Sequence, residues 1–216
     1  MKFRPTLAAF GMSFVAAAAA SIVPVSAHAE GDAQRGKVLA YTCHGCHGVP
    51  NYKNAFPNYS VPKLGGQSAT YLTSALKAYA NGDRPHQTMH SHAATLTEQE
   101  RADIAAYLQS QMVQPAKAVI GTSPPATQTC VACHGADGAK PVAPDQPILA
   151  GQYADYLVHA LKDYKSGKRK NPIMSGIVGA VEEKDFEAIA QFFAQQRGLC
   201  GTDQIREAGK CVADGE

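Results

Sequence analysis

Apolar and aromatic residues at Tyr71, Leu72, Ala75, Leu76 and Tyr79 recur at the spacing that lines one face of an α-helix. The stripe returns as Tyr156, Leu157, Ala160, Leu161 and Tyr164, each 85 positions later. Ser68 reads as the N-cap of the first copy. A second amphipathic segment opens with Thr97-Glu98-Gln99-Glu100, a capping-box pattern, and runs through Ile104, Tyr107 and Leu108. Its counterpart, from Glu182 through Phe186, Ile189, Phe192 and Phe193, keeps the stripe without a hydroxyl cap. A leading helix is predicted over Asp32 to Tyr41, and the second half retains only a short Ser123-Pro124-Pro125 start. No segment alternates strongly enough to predict a sheet, so the expected class is all-α.

The polar positions obey the same 85-residue shift. Gly66-Gln67 recurs as Gly151-Gln152, Gly82 as Gly167, Arg84 as Arg169, Pro62 as Pro147 and Met89 as Met174. Two copies of one unit are therefore expected, spanning 30–114 and 125–216. The linker is read at 115–124, because the stretch from Pro115 to Pro125 has three prolines and no apolar periodicity. Units this small build limited cores by themselves. Each calls for a central apolar body around which its helices can pack.

At the N-terminus, Lys2 and Arg4 precede an alanine-rich run from Leu7 to Val23 and a small-residue ending, Ala27-His28-Ala29. Residues 1–29 read as a secretory signal peptide cleaved after Ala29, which predicts a periplasmic protein beginning at Glu30. The run is shorter than the ~20 strongly apolar residues of a membrane-spanning helix. Cleavage removes Lys2 and Arg4 and no acid, so 20 basic residues become 18 against 18 acidic ones. That balance gives no support for nucleic-acid binding, which requires a clustered basic face.

The chemistry is carried by two pentads, Cys43-His44-Gly45-Cys46-His47 and Cys130-Val131-Ala132-Cys133-His134. They lie 87 apart, so the first half has a net insertion of two residues before its Gly-Gln. Cys-x-x-Cys-His is the attachment site of a c-type haem. Each sulfur adds to a porphyrin vinyl group, and the adjacent histidine reaches the iron. Two haem c groups are therefore predicted, held covalently by Cys43, Cys46, Cys130 and Cys133 and ligated by His47 and His134. A disulfide or zinc pair beside a chance histidine is the competing reading, and it has to be invoked twice. Of the six cysteines, Cys200 and Cys211 remain. In an oxidising compartment they are expected to form a disulfide rather than free or intermolecular thiols.

The sixth iron ligand decides what such a protein does. After cleavage the methionines are Met89, Met112 and Met174, and Met89 and Met174 each lie 22 residues beyond their Gln. We assign them as axial ligands, a pairing with histidine that raises the reduction potential. The alternative is gap-filling in a core. His86, His90 and His92 flank Met89, so a bis-histidine first centre is the second reading; otherwise the three are expected to be solvated loop residues. His44 is expected at an exposed haem edge and His159 in helix packing. Each ligating imidazole needs an acceptor for its other N–H, and backbone carbonyls near Pro62 and Pro147 are suited to that. Arg84 and Arg169 either pair with haem propionates across the domain boundary or are solvated loop arginines. The run from Lys165 to Lys170 reads as a docking patch or as wet surface.

Taken together, Cys-x-x-Cys-His, Pro-x-Leu-x-Gly-Gln, Tyr-Leu, Gly-x-Arg, the downstream Met and the closing helix, all present twice, resemble the dihaem cytochromes of the cytochrome c4 family. The resemblance implies two tandem class I cytochrome c domains related by a pseudo-twofold axis, each wrapped around one covalent haem, with propionate edges facing each other near the interface. It also implies that the Pro62 and Pro147 carbonyls hold the proximal histidines. Family members are periplasmic, soluble or loosely membrane-attached, and pass electrons from a bc1-like donor toward terminal oxidases or reductases. They are electron-transfer proteins and have no catalytic residues. The chain departs from the pattern in its histidine-rich segment, an Asn51-to-Tyr59 insertion, the trimmed second leading helix and the Cys200 to Cys211 tail, which leave the partner open. A cytochrome subunit of a larger dehydrogenase, similar to flavocytochrome c sulfide dehydrogenase, is the alternative. A dihaem peroxidase ranks third, since it requires an open iron position and each half has a methionine in register.

Overall fold

The computed structural model describes residues 1–2, 30–111 and 118–202. Most of the expected signal peptide, Met112, Cys211 and the first part of the linker lie outside the described residues. Within them the regular structure is helical, joined only by isolated bridges between Lys53 and Ser60 and between Gly65 and Cys200. The first unit contains α1 (Ala33–Leu39), α2 (Tyr41–His47), α3 (Ala69–Asn81), α4 (Gln87–Ala94) and α5 (Glu98–Ser110). The second has a 3-10 turn, Pro125–Thr127, that leads into α6 (Gln128–His134). It continues with α7 (Ala154–Lys165), α8 (Pro172–Gly179) and α9 (Phe186–Ala194).

Local chemistry accounts for most of these boundaries. The Asp32 carboxylate caps α1 by accepting from the N–H groups of Gln34 and Arg35, Ser68 caps α3, and Thr97 and Glu100 close a capping box on α5. The expected leading helix is interrupted: α1 ends at Leu39, and Ala40 starts the separate helix that bears the first pentad. The histidine-rich segment, expected to be a loop, is the helix α4, because His86 supplies an N-cap acceptor to the N–H of Met89.

In the first unit α1 crosses α5 at very close range. Gly36 is buried there, and a Cβ on it would lie 1.9 Å from the carbonyl oxygen of Asp103. Ala40, Leu72, Ile104, Ala105, Tyr107 and Leu108 form the adjoining core. The second unit lacks α1 and compensates twice. Phe193 stands where the first unit has Leu108, adding a ring to a cluster with Leu157, Ile189, Ala190 and Phe192. Gln196 then ties down the incoming linker, accepting from Ile120 N–H at 2.9 Å and donating to Ile120 O at 2.8 Å.

The units are also joined through the chain beyond α9. Leu199 N–H donates to Ala150 O of its own unit, while Cys200 exchanges two backbone hydrogen bonds with Gly65 of the other, at 3.0 and 3.1 Å. Cys200 is buried at this junction.

Candidate functional site

The two pentads occupy equivalent short helices, α2 and α6, each ending on its histidine. On a helix, Cys43 and Cys46 stand three positions apart on one face, as do Cys130 and Cys133. Burial raises the thiols of Cys43 and Cys130, the reverse of the depressed thiol that powers a redox Cys-x-x-Cys.

His47 Nδ1 lies 2.7 Å from the carbonyl oxygen of Pro62, and His134 Nδ1 lies 2.8 Å from that of Pro147. A carbonyl only accepts, so in both imidazoles Nδ1 carries the proton and the Nε2 lone pair is left for a metal. Burial pushes His47 down to about 4, against the opposing pull of its bond to Pro62, and it lowers His134 in the same way. Both rings are therefore neutral at neutral pH, the form that ligates iron.

Met89 and Met174 project from α4 and α8. His86 accepts from Met89 N–H at 3.3 Å, and Asn171, at the same repeat position, accepts from Met174 N–H at 3.1 Å. With Nδ1 accepting, His86 donates from Nε2 to Asn54 Oδ1 at 3.2 Å. His90 donates from Nδ1 to Tyr79 O at 2.9 Å. Of the three histidines, His86 and His92 both border the cavity that Met89 lines, and His92 does so without either of these attachments, at the position of Ile177 in the other unit. His44 meets the edge of Tyr107, with ring centroids 6.3 Å apart.

A cavity of about 890 Å³ is lined by the four pentad cysteines, by His47 and His134 and by both methionines. Its remaining wall is mostly aliphatic and aromatic, including Leu72, Leu76, Leu157, Leu161 and Phe193. Arg84 and Arg169 also line this cavity. Gly82 and Gly167 adopt left-handed backbone angles, with φ of 84° and 72°. The turns they make let Arg84 N–H donate to Ala78 O and Arg169 N–H to Asp163 O. Arg84 then lies over the ring of Tyr79 and donates to Tyr156 of the other unit; Arg169 lies over Tyr164 and donates to Tyr71 at 2.7 Å. Both are buried, which rules out the reading as solvated loop arginines. Neither pairs with a carboxylate among the described residues. Burial alone would raise the Tyr71 phenol, yet the charges of Arg169 and Arg84 bring it down to about 8. Two buried cations without anions fit carboxylates that a cofactor brings.

The Cytochrome c family matches this chain twice, over residues 33–111 and 125–196. Cytochrome c4 of Pseudomonas aeruginosa is 33% identical, aligned over 77% of this chain and 89% of the relative. The chain belongs to the dihaem cytochrome c4 family. This cytochrome accordingly carries two haem c groups and is an electron-transfer protein built from two tandem class I cytochrome c domains. The crystal structure of reduced recombinant cytochrome c4 from Pseudomonas stutzeri superposes with a TM-score of 0.61 at 28% identity, covering 77% of this chain and all of that one. A thiosulfate dehydrogenase electron acceptor of Stutzerimonas stutzeri is 31% identical over 77% of this chain and 83% of the relative.

Two features of this cytochrome went unread in its sequence. Gln67 and Gln152 are buried at the domain interface and bond across it in both directions. Their recurrence in both copies was the available signal, since a buried amide must find partners. The insertion before Tyr59 is a brace: Asp155 on α7 accepts from Ser60 N–H and Oγ at 3.0 and 2.9 Å and from Lys53 at 3.2 Å. Tyr59 stacks on His159 at 4.0 Å, and His159 bonds Asp163 at 3.1 Å. In the basic run, Lys170 pairs with Asp83 across the domains and Lys165 donates to Val181 O.

Proposed function

We propose that this cytochrome is a periplasmic one-electron carrier, with His47 and Met89 as the axial pair of the first haem and His134 and Met174 as that of the second. Cys43, Cys46, Cys130 and Cys133 form the thioethers, and Pro62 and Pro147 accept from the ligating histidines. The observation that carries the reading is the repeated geometry: each histidine has its Nδ1 engaged by a backbone carbonyl, which leaves Nε2 as the free nitrogen, and lines the cavity that its in-register methionine also lines. The bound haem supplies a reversible Fe(III)/Fe(II) couple. With His47 and Met89 on one iron and His134 and Met174 on the other, no position would be left for substrate and little ligand rearrangement would accompany electron transfer. In the same proposal residues 1–29 are a cleaved signal peptide, the domains span 30–114 and 125–216 around a linker at 115–124, and Cys200 pairs with Cys211. Donor and acceptor are a bc1-like complex and a terminal oxidase or reductase, with loose attachment to the membrane surface.

A redox titration of the purified holoprotein, followed by absorption, tests it. Two one-electron waves and a thioether-to-iron charge-transfer band on each haem are expected, with no carbon monoxide bound by the ferrous protein. A high-spin haem at rest would overturn it. The second reading, a cytochrome subunit or dedicated acceptor of a dehydrogenase, is favoured by the similarity to the thiosulfate dehydrogenase electron acceptor. Co-purification of a dehydrogenase with the tagged chain from its own host distinguishes a permanent subunit from a free carrier.

A further inference from the structure

The two interface glutamines bond to the peptides that hold the iron-ligating histidines, and each reaches into the opposite domain. Gln152 Oε1 accepts from Lys63 N–H at 2.9 Å, and its Nε2 donates to Lys63 O at 3.0 Å. Gln67 repeats this with Ile148, accepting from its N–H and donating to its carbonyl, both at 2.9 Å. Lys63 and Ile148 are equivalent residues, 85 apart. Both glutamines are about 95% buried, with relative exposures of 4% and 5%.

The N–H of Lys63 and the carbonyl of Pro62 belong to one peptide group. That carbonyl accepts from His47 Nδ1, so a continuous chain runs from the His47 ring, through the Pro62–Lys63 peptide, to the amide oxygen of Gln152. The same chain links His134, the Pro147–Ile148 peptide and Gln67. Hydrogen bonds arranged through a shared peptide polarise one another. An acceptor on the N–H side makes the carbonyl a better acceptor, and a better acceptor makes the ligating imidazole more electron-rich. An electron-rich imidazole stabilises Fe(III) and lowers the potential.

We propose that Gln152 and Gln67 are positioning residues that act crosswise, each setting the basicity of the iron-ligating histidine in the domain to which it does not belong. The inference rests on the proposed ligation by His47 and His134. It makes the interface part of the tuning of both centres. Separating the domains would then move both potentials upward without touching a ligand.

The test uses holoprotein labelled with 15N-histidine in the ferrous state, with the Nδ1–H resonances of His47 and His134 assigned, and a redox titration of the same samples. In Gln152→Leu the His47 Nδ1–H signal is expected to move upfield and the first haem to titrate at higher potential, with His134 and the second haem unchanged. Gln67→Leu gives the mirror pattern. Gln152→Glu keeps an acceptor for Lys63 N–H and is expected to leave the His47 signal at or downfield of its original position, which tests the inference even if the leucine variant does not fold. Shifts confined to the substituted domain, equal shifts of both histidines, or none, with both thioether bands intact, overturn the crosswise role and leave the ligation standing. Absence of the thioether bands from the unsubstituted protein overturns the ligation instead.

Discussion

Arg169 donates to the hydroxyl of Tyr71 at 2.7 Å, joining residues 98 positions apart and on opposite sides of the domain interface. Arg84 makes the reciprocal bond to Tyr156. A guanidinium this well enclosed raises the potential of a nearby iron, because a fixed cation favours the less positive Fe(II). Arg169→Leu should therefore move the haem waves to lower potential and cost about 2 kcal/mol of stability through the lost charged hydrogen bond. Arg169→Lys retains the charge without the planar donor fork, so its potentials should stay nearer the original while stability still falls. Redox titration and denaturant unfolding of both variants check this.

Met174→Ala should convert the second haem to a high-spin, ligand-accessible form that binds carbon monoxide when reduced. Met89→Ala should do the same for the first. His90→Ala should leave the spectrum unchanged, since that ring is attached to Tyr79 O on the outside of α4. His92→Ala is the informative control, because His92 borders the cavity that Met89 also lines and has neither of the attachments of His86 and His90. If its loss alone alters the spectrum, the first centre is bis-histidine.

The duplication made the helices legible. Stripes at Tyr71 to Tyr79 and Tyr156 to Tyr164, and the Thr97 to Glu100 box, became α3, α7 and α5 because local propensity, capping and burial agree there. The break at Ala40 was hidden, since no proline or glycine marks it and the residue remains helical, with φ of −72° and ψ of −3°. The α4 and α8 helices were hidden because eight residues give little more than two turns of periodicity, and α4 in addition starts from a histidine where its twin has Asn171. Along the chain, spacing could register the pentads and methionines. It could not show that Gln67, Gln152, Arg84 and Arg169 bond to the other copy, because recurrence at 85 residues marks these positions without saying in which copy their partners lie.

The Asn51-to-Tyr59 insertion should matter to the assembly of the two domains rather than to the irons. Asp155 accepts three hydrogen bonds from Ser60 and Lys53, and its carboxyl is held low: burial opposes this, but the bonds from Ser60 and Lys53 prevail. Asp155→Ala leaves a partly buried N–H and hydroxyl of Ser60 unpaired, which should cost about 1–3 kcal/mol. Limited proteolysis should then cut near the exposed Phe56, while both haem spectra stay as they were.

Asp103 supplies the pH dependence of the first domain. Its side chain is buried under α1 and accepts from Asp32 N–H and Gln99 at 2.8 Å and from Arg35. Burial would raise its carboxyl, but the hydrogen bonds from Asp32, Gln99 and Arg35, together with the Arg35 charge, hold it below the ordinary value. A depressed folded-state carboxyl contributes stability that is complete above the unfolded value of about 3.9 and is lost as the pH falls through the folded one. Asp103→Asn should thus destabilise the α1–α5 contact by about 2 kcal/mol at neutral pH, with the deficit shrinking toward zero in acid. Denaturant melts of both proteins, followed by helical circular dichroism at neutral pH and at successive steps below pH 4, measure it. A deficit that is equal at every pH would assign the cost to packing beside Gly36 instead of to the charge.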